Sequence, residues 1–87
     1  EPYRPVEPTF IDGAFYSTNS DLVCAGTAPI QNILSFGTGT LQNQRKVYYD
    51  TGSSWALVPM GTYIRQTSSS VTYVVADTYG RILEYDC

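Results

Sequence analysis

With 87 residues, five Lys and Arg against eight Asp and Glu, and a net charge of −3, the chain reads as one small domain and a poor match to a polyanion as a whole. No apolar run is long enough to form a membrane-spanning helix. Two cysteines and no histidine leave a structural zinc site short of ligands, so neither metal nor cofactor is expected. Cys24 and Cys87, an even count in so small a chain, read as one disulfide of a secreted protein. The start at Glu1 has neither a charged nor an apolar leader region and reads as a mature chain after signal removal.

Residues 1–9 open with EPYRPVEP, whose three prolines fit neither helix nor sheet, and predict an extended arm ahead of a single domain over 10–87. From Phe10 to Tyr16, Asp12-Gly13 separates two short β-prone runs and predicts a hairpin or bend. The stretch GTAPIQNILSFG carries the helix signals: Thr27 as N-cap, Pro29 in the first turn, Ile30, Ile33 and Leu34 as an apolar stripe, and Gly37 as the stop. Strands are then expected over 44–50, 55–60 and 62–66, with Pro59 interrupting the second. A last hairpin joins VTYVVAD to RILEYDC through Thr78-Tyr79-Gly80, with Leu83, Tyr85 and Cys87 assigned to its buried face. The expected class is α+β: one short helix packed on a four- to five-stranded antiparallel sheet, with one disulfide.

Only Arg4 precedes position 45, whereas Arg45, Lys46, Arg65 and Arg81 follow it, which allows a local basic face. Eight tyrosines and one tryptophan could stack bases beside those cations. Strand chemistry argues that Tyr63, Tyr73 and Tyr85 pack one side of the sheet. Tyr48, Tyr49 and Tyr79 are then the expected exposed tyrosines, and Trp55 reads as a core residue or a partner anchor. The candidate binding set is therefore Tyr48, Tyr49, Tyr79, Arg45, Lys46, Arg65, Arg81 and Trp55. Asp50, Asp77 and Glu84 accompany no visible nucleophile–base pair, so no enzyme is expected.

The order of helix, YYD strand, Trp55-to-Pro59 strand, Gly61-Thr62-Tyr63 turn and closing TYVVADTYGRILEYDC hairpin resembles the small fungal guanyl-preferring ribonucleases. That resemblance implies a microbial ribonuclease-like fold and catalysis by a carboxylate base and a histidine acid. Here Leu57 stands where the catalytic Glu would be, Tyr73 where the phosphate-binding Arg would be, and no histidine exists. A ribonuclease scaffold without its catalytic groups, closed by one disulfide, is similar to the RNase-like effectors of powdery mildew fungi. The resemblance implies a noncatalytic secreted effector that enters plant host cells and suppresses immunity. Its expected partner is a host protein, an immune receptor among them, with RNA held weakly if at all. A monomer that avoids membranes is expected. The alternative reading is an unrelated small secreted β-rich effector sandwich, toxin or inhibitor in which residues 27–37 are loop.

Overall fold

A computed structural model describes residues 9–36 and 39–87; of the expected arm over 1–9, residues 1–8 lie outside the described residues and Thr9 begins the first strand. Seven strands form one antiparallel sheet: β1 (Thr9–Ser17), β2 (Ile30–Ser35), β3 (Val47–Asp50), β4 (Trp55–Leu57), β5 (Tyr63–Gln66), β6 (Thr72–Val75) and β7 (Ile82–Tyr85). One helix, α1 (Ser20–Ala25), follows β1. The order across the sheet is β4-β3-β2-β1-β5-β6-β7.

This corrects the α+β expectation and, with it, the ribonuclease-like architecture. Ile30, Ile33 and Leu34, the expected helical stripe, lie in strand β2, and the expected stop Gly37 lies outside the described residues. Ile33 is buried among the inward-facing core residues, Leu34 is buried outside that cluster, and Ile30 is exposed, as a pleat distributes them and a helical stripe would not. Pairing with β1 along Ile30–Ser35 and with β3 at Ile33, Leu34 and Ser35 is a long-range gain that outweighs the local capping signals. Other capping residues act a few positions earlier, around the helix that does form. The Asn19 side chain accepts the Asp21 N–H, and Gly26 takes the left-handed conformation that ends α1, its N–H donating to the carbonyls of Leu22 and Val23. Asp12-Gly13 makes no hairpin either. β1 runs through it with a bulge between Phe10 and Asp12, where Asp12 has φ 141° and its carboxylate accepts the Gly13 N–H at 2.7 Å.

The sheet curls until its two halves meet. Lys46 and Arg81 form an antiparallel bridge, with Val47 N–H donating to Gly80 C=O at 3.0 Å and Ile82 N–H to Arg45 C=O at 3.2 Å. β1, β2, β3, β7, β6 and β5 thereby enclose a small barrel, and β4 is left outside it as an edge. Ile11, Ala14, Ile33, Val47, Val58, Ile64, Tyr73, Val75 and Ile82 fill the interior. Leu41 plugs one mouth. Its N–H donates to Gln66 Oε1 at 3.0 Å, its carbonyl accepts the Tyr73 hydroxyl at 3.2 Å, and Gln66 Nε2 donates to Gly39 C=O at 3.2 Å. These bonds satisfy polar groups that would otherwise be buried at a cost of about 1–3 kcal/mol each.

In β7 the inward residue is Ile82, fully buried, while Leu83 is exposed on the outer face, the reverse of the expected orientation. Tyr63 and Tyr85 do share a face, the outer one, with ring centroids 4.8 Å apart, whereas Tyr73 points inward. α1 packs over that outer face against β1 and β5, burying Val23 completely. Cys24 in α1 and Cys87 after β7 form the expected disulfide, and the Thr72 hydroxyl lies 3.3 Å from Cys87 Sγ.

A bond between residues 63 positions apart restricts the unfolded chain by about 4 kcal/mol in the loop-entropy treatment. The core cluster contains neither cysteine, so the Cys24→Ser/Cys87→Ser protein should keep the β-rich circular dichroism of the barrel at low temperature. Its melting temperature should fall by on the order of 20 °C, measured without reductant. A second outcome concerns alkali. Burial pushes the phenols of Tyr16 and Tyr73 above their ordinary 10.0, helped by Tyr49 and Glu84 respectively. A phenol raised in the folded state contributes stability that is full below the unfolded value and is lost as pH climbs through the folded one. Urea midpoints should fall between about pH 9 and 11. Tyr73→Phe should flatten that decline while costing about 1–2 kcal/mol at neutral pH, because Leu41 C=O loses its donor.

Candidate functional site

The outer wall of β2, β3 and β4 is built by cross-strand register. Leu34, Tyr48 and Leu57 form one rank, and Asp50 faces Trp55 in the next. Because the pleat has a period of two, Lys46 stands on the same wall as Tyr48, and Arg81, its bridge partner, lies beside it. Tyr48 is half-buried, edge-on to Phe36 with centroids 5.7 Å apart. Trp55, 44% exposed, rims a shallow depression of about 340 Å³ lined also by Leu34, Asp50 and Gly52–Ser54.

The turn between β6 and β7 completes the patch. Asp77 accepts the N–H groups of Tyr79 and Arg81 at 2.9 and 3.3 Å, which fixes the turn and leaves the Tyr79 ring 65% exposed. Gly80 next to it has φ +80°, and a Cβ there would lie 2.8 Å from Leu57 Cδ2 and 3.2 Å from Val47 C=O. Leu57 therefore rests on bare backbone. That contact joins the β4 wall to the Tyr79 turn.

Of the eight predicted binding residues, six are brought together or border this wall: Tyr48, Trp55, Tyr79, Lys46, Arg81 and, in the loop just before Lys46, the exposed Arg45. Two are not. Tyr49 points into the barrel, where its ring meets Tyr16 edge-on at 6.0 Å. Arg65 lies on the α1 side, its guanidinium 5.0 Å from the centre of the Phe15 ring and its Nε buried without a hydrogen-bond partner. Both fall on the wrong wall. Leu57, 40% exposed, belongs to the patch and was missed, because an aliphatic strand residue gives no signal of its own without the register.

The carboxylates considered for catalysis are committed elsewhere. Asp50 accepts the Gly52 N–H, Asp77 holds the Tyr79 turn, and Glu84 accepts from Asn43. No group of three or more Cys, Asp or Glu suited to a metal ion occurs among the described residues. A larger depression of about 640 Å³ beside Leu41 is lined by Gln66 and Tyr73, whose polar atoms are already spent on the plug. No described helix is long and apolar enough to cross a membrane. Compared with protein-family models, curated proteins and solved structures, the chain matches none of them.

Replacing Gly80 tests how this wall is assembled. Gly80→Ala should cost about 1–3 kcal/mol in urea unfolding, since a side chain at positive φ is strained and must also displace Leu57. Leu57→Ala in the same protein should recover part of the loss, a coupling that a double-mutant cycle measures.

Proposed function

We propose that this chain is a secreted, noncatalytic binding protein of the small β-rich effector type, acting in a plant host by docking a host protein on the wall around Trp55, Leu57 and Tyr79. The observation that carries the reading is the company these three keep. Large apolar side chains stay exposed side by side on an edge strand and an adjoining turn, next to the cations Lys46 and Arg81. Exposed aromatic and aliphatic groups around a shallow depression, rimmed by cations, have the composition of a protein–protein hot spot. The secreted and effector-type parts of the reading rest on the small disulfide-closed chain and on its sequence resemblance, without the ribonuclease architecture.

Protein is favoured over RNA as the partner. A stacking platform needs open ring faces, whereas Tyr48 is packed on Phe36 and Tyr49 is turned inward. The net charge of −3 also opposes a polyanion over the remainder of the surface.

Expression in leaf tissue tests the reading. Wild-type protein should lower the oxidative burst that follows an elicitor, and Trp55→Ala/Tyr79→Ala should lose most of that effect at equal accumulation. Ile30→Ala, an exposed apolar residue of β2 outside the patch, should keep it. An unaltered effect in the double variant, or ribonuclease activity in the purified protein, would overturn the reading.

A further inference from the structure

The main chain of β4 adds something that its side chains do not. Val58 N–H donates to Val47 C=O at 3.1 Å, and Thr51 N–H donates to Ser54 C=O at 2.9 Å. With Tyr49 opposite Ala56 between them, the hydrogen-bonded pairs alternate, so the N–H and C=O groups of Trp55 and Leu57 point away from β3. Among the described residues no strand takes them up, since β4 ends the sheet order. Such edges are ordinarily guarded by lysine or proline. Trp55-Ala56-Leu57 carries neither, and the two residues that offer main-chain groups are the two whose side chains are exposed.

The charges decide what can lie there. Lys46 and Arg81 stand on the same wall at the closing seam, joined to β4 where Leu57 lies over Gly80, and no described acidic side chain forms an ion pair with either. They form a basic spot on an acidic chain. At the other end of β4, Asp50 faces Trp55. We infer that β4 receives an extended acidic segment of a partner protein as an added strand, its carboxylates toward Lys46 and Arg81 and its apolar side chains on Trp55 and Leu57. This inference rests on the docking wall proposed above and specifies how the partner is held: main-chain pairing supplies the geometry, and charge selects the segment.

Trp55 is the only tryptophan, so its fluorescence reports on this strand alone. The probes are two synthetic heptapeptides with the same alternating valines, one with Glu and Asp between them and one with Lys. In low salt the acidic peptide should bind about fivefold or more tighter than the basic one, a margin set by two partly exposed ion pairs. It should also slow amide exchange at Trp55 and Leu57. Lys46→Glu/Arg81→Glu should reverse the preference. Leu57→Pro removes an outward N–H without touching the ladder to β3 and should abolish binding, whereas Leu57→Ala, which shortens an apolar contact but keeps the N–H, should only weaken it, with circular dichroism confirming that both fold. Equal binding of the two peptides, unchanged exchange at Trp55 and Leu57, a stronger response to oligouridylate, or a dimer in sedimentation that Leu57→Pro dissolves would each overturn the inference. The leaf assay separates the two levels. Loss of effect in Trp55→Ala/Tyr79→Ala with retention in Leu57→Pro leaves the docking wall standing and removes the added strand, whereas indifference to both removes the wall itself.

Discussion

Val47 is where the structure is decided. Its side chain is fully buried, its N–H donates to Gly80, and its carbonyl accepts from Val58, so one residue ties β3 to the start of β7 and to the end of β4. Once the start of β7 occupies that edge of the chain at residues 45–47, β4 can pair only with Tyr48–Asp50 and stays three residues long. The same closure sets Lys46 beside Arg81 and brings Leu57 onto Gly80. The candidate site is thus a by-product of barrel closure. It is as rigid as the barrel itself, and a binding surface held this way loses little freedom when a partner docks.

The two outer walls are treated differently. On the β1-β5 side, α1 buries its own Val23 against the sheet, Gly26 at its end lies against Phe15 and Arg65, and the disulfide pins that cover to Cys87. On the β2-β3-β4 side nothing in the described chain lies over Trp55 or Leu57, both of which stay exposed. A domain of this size has few apolar groups to spare, and leaving two of them in water at the edge costs stability that the disulfide, at about 4 kcal/mol, offsets. The staple on one wall is what permits the bare surface on the other.

The sequence was legible where chemistry is local. Cysteine parity yielded the Cys24–Cys87 bond, and the turn at Thr78-Tyr79-Gly80 with its flanking strands was readable because Gly80 and the β-branched runs act within a few residues. The helix was misplaced because Thr27, Pro29 and Gly37 are capping signals whose strength is about 1 kcal/mol each, against a full ladder of hydrogen bonds to β1 that no local window contains. The grouping of Tyr48, Trp55, Lys46 and Arg81 followed from residue type alone, but excluding Tyr49 and Arg65 needed the register. A one-residue difference moves a strand side chain to the other wall, and only the pairings of Ile33 with Tyr49 and Phe15 with Arg65 say which wall that is.

A short apolar edge also answers how such a protein stays soluble while keeping a strand open. Aggregation through sheet edges draws on long rows of unpaired groups, and β4 offers only two residues' worth before Pro59 and the Ser53-Ser54 turn end it. Two residues of backbone cannot by themselves hold a partner. Whatever binds must also fill the contacts of Trp55, Leu57 and Tyr79 and meet the charge of Lys46 and Arg81, so the weak part of the interaction is generic and the strong part is selective. Shortening the edge and enriching its side chains act together: the first suppresses pairing with any exposed strand, and the second restores it for a strand with the right apolar and acidic pattern.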